Sequence, residues 1–304
     1  MNSSYACPGI GTGQRVRLLR ASLAGVIVAG LVGLTLAPLV GQAQEQARPL
    51  KTFKVCQDPN NMPFSNDKGE GIENRIAELF AKQLNVPVEY YSFPQRMGFV
   101  RNTLRYKLPG EDYRCDVVLG VPTGWGQAST TKPYYRSTYV LIFPKGNRFD
   151  DVTSGAEFLA KVQSMQQKPR IGLYDKSPGS AWLGKHGLED AAVVYPIMSP
   201  DPEQFPGQII ADDLAHGNID VALVWGPIAG YYSTHVPGKV FAVVPLKSEP
   251  GVRFDFDIAM GVRYREPDWK STIEKLIDSN LPALHAILRN YGVPLVDEQG
   301  EPLR

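Results

Sequence analysis

Apolar and polar positions along this 304-residue chain follow two alternating periods. Short β-branched apolar runs bounded by Gly, Pro, Asp or Asn predict strands at 52–56, 86–91, 116–121, 138–143, 170–174, 192–196, 220–225, 240–245 and 254–262. Between them, apolar residues recur at helical spacing. The clearest case is 72–84, where Ile72, Ile76, Leu79, Phe80 and Leu84 form one stripe. Further helices are predicted at 99–106, 156–165, 178–186 and 208–216, and a long amphipathic one at 267–290, interrupted at Pro282. Strands alternating with helices in this way make right-handed crossovers and a parallel sheet.

Two of the strands nearly repeat one another. Asp116-Val117-Val118-Leu119-Gly120-Val121-Pro122 reappears 104 residues later as Asp220-Val221-Ala222-Leu223-Val224-Trp225-Gly226-Pro227. Each is a buried-strand pattern opened by Asp and closed by Gly and Pro, and ligands of open α/β sheets bind beyond such C-terminal ends. The copies imply two similar α/β lobes, each a sheet flanked by helices, whose loops face each other across a cleft. The order of elements has the chain build one lobe over 51–144, cross to a second over 145–255, and return so that 256–304 completes the first. Two crossings make a two-strand hinge suited to closing over a ligand.

Composition adds few limits: 43% apolar residues and a formal net charge of +1 give no single-sign field that would argue for nucleic acid. The N-terminus changes that sum. Arg15, Arg17 and Arg20 precede an apolar, Gly/Ala-rich stretch at 21–40, and Gly41-Gln42-Ala43 supplies small residues for cleavage after Ala43. Residues 1–43 read as a cleaved signal peptide rather than a membrane anchor, and 44–50 as a leader. Loss of three Arg and no acid takes the net charge from +1 to −2. The processed chain is expected not to span a membrane and to reside in an oxidising compartment. Cys7 leaves with the signal; Cys56 and Cys115 remain, each in a strand-like run. They can form a disulfide if those strands are neighbours, and two buried free thiols are the alternative.

Lys132-Pro133-Tyr134-Tyr135-Arg136-Ser137-Thr138-Tyr139-Val140 resembles the segment entering the first hinge strand of two-lobed periplasmic solute-binding proteins, and Gly71-Ile72-Glu73-Asn74-Arg75-Ile76-Ala77-Glu78-Leu79 resembles their first helix. Four blocks, 56–66, 94–104, 115–122 and 130–137, together resemble the MxaJ/XoxJ group, the binding-protein-like partners of PQQ methanol dehydrogenases in methylotrophs. That resemblance implies the type II periplasmic binding protein fold, a periplasmic monomer, and no enzymatic activity or cofactor of its own. It also implies an accessory role beside a PQQ-dependent methanol or alcohol dehydrogenase, with its cytochrome c as a further partner. The cleft would bind the enzyme or a segment of it during maturation or activation. The alternatives are a small-solute receptor of an ABC transporter and, further off, a dehydratase-like periplasmic enzyme on the same scaffold. Amino-acid-binding relatives follow the first repeat strand with an Arg that clamps the ligand carboxylate and the second with an Asp for its ammonium. Here 123–129 contains no Arg and Trp225 stands at the second place. Both ends of a zwitterion lack an anchor.

Candidate cleft residues follow from the strand ends. Asp58, Asn60 and Asn61 succeed the first strand, where binding loops lie, although Asx residues also build turns on their own account. Phe64 reads equally as a cleft wall or a core aromatic. Arg96, beside Pro94, is a candidate for an anion or an acidic partner, whereas Arg101 reads as a solvated helix face. Thr123 and Trp125 follow the first repeat strand and Trp225 ends the second; facing each other, the two indoles would make an apolar cleft rim, and otherwise they are core. Ser177 and Ser180 flank a helix start whose amides either bind an anion or are simply capped. His186, His216, His235 and His285 lack metal-ligand spacing, and Asp255 and Asp257 share a strand face without forming an acid–base pair. No catalytic residue or metal ligand is assigned.

Overall fold

The computed structural model describes residues 50–95, 97–197, 201 and 203–303. The expected signal peptide, the leader up to residue 49, and Arg96 lie outside the described residues. The chain runs β1 (Phe53–Gln57), a hairpin of β2 (Asn60–Asn61) and β3 (Ser65–Asn66), α1 (Ile72–Leu84), β4 (Val88–Ser92), the single-turn α2 (Phe99–Asn102), β5 (Val117–Pro122), β6 (Ser129–Thr130) and β7 (Tyr135–Pro144). It continues with α3 (Gly155–Ser164), β8 (Ile171–Tyr174), α4 (Pro178–Lys185), β9 (Ala192–Tyr195), a π-helical turn (Ile209–Leu214), β10 (Val221–Trp225), α5 (Gly226–His235), β11 (Phe241–Pro245), β12 (Asp255–Val262) and α6 (Pro267–Asn290). No described helix is long and apolar enough to cross a membrane.

The strands form two sheet regions joined by their longest members. In the first, β4, β1 and β5 are parallel, and β12 closes the set antiparallel to β5. In the second, β9, β8 and β10 are parallel, and β7 lies antiparallel to β10. The strand β7 changes partners midway: Tyr135–Thr138 pair with β12, and Tyr139–Pro144 pair with β10 and β11. The parallel sheet expected from the β-α alternation thus holds within each region, and both regions are completed by antiparallel crossing strands. The two copies of the sequence repeat occupy equivalent places. Each is parallel to the first strand of its region and antiparallel to a crossing strand, and each opening Asp is tied by an arginine, Asp116 to Arg263 and Asp220 to Arg170.

Each sheet region is covered on both faces, which is why its central strands β5 and β10 are nearly all apolar. On the first, Phe53, Ile76 and Phe80 pack with Ile277 and Leu284 of α6, and the opposite face holds a smaller cluster of Phe99, Val100, Leu104 and Val121. A disulfide joins Cys56 to Cys115 beneath that smaller cluster, with an S–S distance of 2.12 Å and Cα atoms 5.2 Å apart. The second region packs Phe149, Phe158 and Trp182 on one side and Ile210, Leu214 and Ile228 on the other.

Three expected elements differ. The helix expected at 99–106 is the single turn α2, and that expected at 208–216 is centred on the π-helical turn. The long helix is not interrupted: Pro282 lies inside continuous α6, on an exposed position where solvent can satisfy the carbonyl freed by the missing N–H. Helix α5 was not anticipated, because nearly its whole first half is buried and therefore shows no amphipathic period.

Candidate functional site

The C-terminal ends of β1 and β4 on one side, and of β8 and β9 on the other, border a cavity of about 640 Å³. The first lobe contributes Asp58, Asn60, Asn61, Pro94 and Gln95; the second contributes Tyr174, Tyr195, Phe205, Gln208, Asp212 and others near them. Asp58, Asp201, Asp212 and Asp213 give the wall its charge, and no lysine or arginine is among the described lining residues. A larger cavity of about 810 Å³ opens at the opposite, N-terminal ends of β8 and β10, beside Arg148, Lys168, Arg170 and Asp220. Its cations are already committed: Arg170 pairs with Asp220 and donates to the Gly217 carbonyl, and Lys168 donates to three carbonyls at the end of α3. The site is therefore assigned to the cavity at the C-terminal strand ends, where open α/β sheets bind.

The loop after β1 is held open by its own polar side chains. The Asp58 carboxylate accepts the Asn60 amide at 2.8 Å and that of Gln95, and Asn61 Nδ2 donates to Gln95 Oε1 at 2.7 Å. Behind it, Gln57 donates to Asp67 and Ser92 and accepts from Asn74 Nδ2, while Asn74 Oδ1 accepts from the Asn66 and Gly71 amides. This satisfied network ties the end of β1 to the start of α1. In the second lobe, Tyr174 donates to the Pro206 carbonyl at 2.6 Å and Tyr195 to Asp213 at 2.7 Å, with the two rings edge to face. Burial pushes both phenols well above their ordinary value of 10.

Glu73, near the start of α1, is the unusual group. Its carboxyl is pushed up to about 8, first by burial and then by the nearby Asp58 charge. No counter-cation contributes to that shift. Space for it is made by Gly120 of β5, which adopts φ +68°; a Cβ there would lie 2.3 Å from Glu73 Oε1.

The residues singled out in sequence fall into separate places. Asp58, Asn60 and Asn61 line the cavity. Phe64 is half-buried against the second-lobe cluster of Val140, Ile228 and Tyr232 and so bridges the lobes. Thr123 is exposed and donates its amide to Asp257 of β12. The structure does not bring Trp125 and Trp225 face to face. Trp125 packs on the Phe99 cluster, whereas Trp225 packs between Tyr139 and Phe256, on the two crossing strands, at 5.4 and 6.0 Å between ring centroids. Equivalent strand ends led apart because β5 enters a loop and β10 enters α5 directly. Ser177 precedes α4 and is buried, with its hydroxyl among the unpartnered buried atoms; Ser180 is half-buried in the first turn. Among the described residues, no group of three or more His, Cys, Asp or Glu could hold a metal ion.

Sequence reasoning missed the second-lobe wall: Tyr174, Tyr195, Phe205, Asp212 and Asp213. The rule that singled out Asp58 and Asn60 would have found the first two, since each ends a parallel strand. Nothing in the sequence signalled Glu73, whose burial depends on β5 passing beside α1.

No protein-family profile matches the chain. The curated Protein MoxJ of Methylorubrum extorquens is 29% identical over 269 residues, covering 84% of this chain and 85% of its own length. Among solved structures, the periplasmic binding protein XoxJ from Methylobacterium extorquens AM1 is 35% identical, covers 81% of this chain and 100% of its own, and superposes with a TM-score of 0.65. MxaJ from Methlophaga aminisulfidivorans MPT, at 22% identity, shares the fold over 80% of this chain and 100% of its own, with a TM-score of 0.66.

Proposed function

This chain belongs to the MxaJ/XoxJ group of periplasmic binding proteins, and we propose on that premise that it is a periplasmic accessory factor of a PQQ-dependent methanol or alcohol dehydrogenase. It works without chemistry of its own, by closing two lobes over the enzyme or a segment of it during maturation or activation. The observation that carries this reading is the cavity wall. It is acidic and polar, with Asp58, Asp212 and Asp213 but no described guanidinium or ammonium. Among the described lining residues an amino-acid carboxylate finds no clamp, whereas a polypeptide segment bearing amides and basic side chains would find acceptors on both walls.

We take the lobes to move about the point where β7 exchanges β12 for β10, and the facing stretch of β12. Trp225, between Tyr139 and Phe256 at this point, would report closure through its fluorescence. Gln204 also lines the cavity, and the test is equilibrium binding of purified dehydrogenase to the wild type and to an Asp212→Lys/Gln204→Trp variant, which reverses a wall charge and narrows the cavity. At least about tenfold weaker binding is expected, equivalent to about 1.4 kcal/mol. Undiminished binding by the variant removes the cavity from the account. The cavity volume also falls within the range of small-solute sites. A transport receptor would instead show a small solute raising the melting temperature, with no affinity for the dehydrogenase.

A further inference from the structure

Beyond Gln95, which walls the cavity, the chain turns onto the outer face of the first lobe. There it exposes apolar and basic side chains together. Met97 is 87% exposed, Tyr264 53% and Leu108 40%, and half-buried Trp125 packs on the Phe99 cluster. The segments carrying Arg105, Gly126–Gln127 and Tyr264 meet through direct contacts. The Arg105 guanidinium lies 5.9 Å from the Tyr264 ring centroid and donates to the Gln127 carbonyl, and the Tyr264 hydroxyl donates to the Gly126 carbonyl at 3.1 Å. Arg101, Arg105, Lys107 and Arg265 are all exposed, and the segment 97–110 contains three cations and no acid. Of the carboxylates near in sequence, Glu111 pairs with Arg114 and Glu266 with the half-buried Arg263, while Asp112 is exposed at the edge of the segment.

We propose that this flank is a second docking surface, taking an acidic face of the same protein partner that the cleft engages. The proposal rests on the reading that the cleft holds a protein. Arginine, tyrosine, tryptophan and methionine are the side chains that concentrate binding energy at protein interfaces, and Lys107, which lies 4.8 Å from the Tyr113 ring centroid, and Arg105 are held by rings and a carbonyl rather than by carboxylates. Arg105 is fixed by a ring and a carbonyl, which suits a directed carboxylate pair better than a diffuse lipid charge. The flank also lacks the long amphipathic helix by which proteins lie on membranes, since α2 is a single turn. Because the cleft is acidic and the flank basic, a partner spanning both must present opposite charges in a fixed order, which sets its orientation.

The experiment uses the processed protein and purified PQQ methanol dehydrogenase, with binding measured at about 50 and about 300 mM NaCl, where screening differs strongly. An Arg101→Glu/Lys107→Glu/Arg265→Glu variant, checked for an unchanged melting temperature, should bind about tenfold more weakly at low salt and lose most of its salt dependence. Met97→Ser alone, which changes no charge, should weaken binding without altering that dependence, and serves if the triple variant melts early. Unchanged affinity in both variants, with binding still lost on Asp212→Lys/Gln204→Trp, overturns the flank and leaves the cleft reading standing. Wild-type protein that does not bind the dehydrogenase overturns both. Vesicles of phosphatidylglycerol and phosphatidylethanolamine form the control arm; charge-dependent binding to them, with none to the dehydrogenase, would assign the flank to a membrane and overturn the proposal.

Discussion

Replacing Glu73 by Gln isolates the cost of the buried carboxyl. The group is held at about 8 in the folded protein against 4.5 ordinarily. Between those values the native chain keeps a proton that the unfolded chain has released, so the native state binds more protons and stability falls as pH rises through that window. Below pH about 4.5 both states are protonated and nothing is lost; above about 8 both are ionised and the loss is complete. At about 1.36 kcal/mol per pH unit, the full window amounts to at most about 4–5 kcal/mol. Glu73 retains partial solvent contact, which lowers the expected figure to about 2–3 kcal/mol. Glutamine keeps the shape and removes the ionisation. Urea denaturation of both proteins, followed by tryptophan fluorescence at several values between pH 5 and 9, should show nearly equal stability at the acid end. The gap in favour of Glu73→Gln should then widen steadily to pH 8. A gap independent of pH, or a variant less stable throughout, refutes the reasoning and means that the carboxyl has a partner in solution.

Other perturbations probe the frame around the site. The Cys56–Cys115 bond closes a 59-residue separation, and its removal by Cys56→Ala/Cys115→Ala should cost about 4 kcal/mol on the chain-entropy account, read as a lower urea midpoint. Arg263 donates to the Leu104 and Cys115 carbonyls, pairs with Asp116 and Glu266, and lies 4.0 Å from the Tyr113 ring centroid; Arg263→Lys cannot reproduce that fork and should lose about 2–4 kcal/mol in the same assay. Gly230→Ala would place a Cβ 1.9 Å from the Gly292 carbonyl oxygen, where α5 meets the turn after α6, and should lower the melting temperature by the equivalent of about 1–3 kcal/mol.

Much of the fold was legible because it rests on local pattern. The stripe at Ile72, Ile76 and Phe80 specifies α1, whose bounds match the expected 72–84. The repeat at Asp116 and Asp220 marked two strands that indeed occupy equivalent places in the two sheet regions. The elements that escaped notice are those whose burial does not follow a period. Helix α5 is buried around its first turns, and the π-helical turn has polar Asp212 and Asp213 facing the cavity. Of the candidate site, the Asp58 to Asn61 loop could be read from its place after a strand. The tryptophans could not be placed, because the strand end fixes where a residue sits but not which way the following chain turns.

What the sequence by itself determined is periodicity, and with it most of the strands and helices, and the family resemblance carried by its motif blocks. What only the tertiary structure decided is proximity between elements far apart in the chain. Glu73 is half-buried where a glycine with positive φ in β5 leaves room beside it, and the cavity is acidic because carboxylates from a first-lobe loop and a second-lobe turn share it. Local pattern reports how each segment meets water. Which segments meet each other is set by packing the sheets and helices together, and the chemistry of this site arises from those meetings.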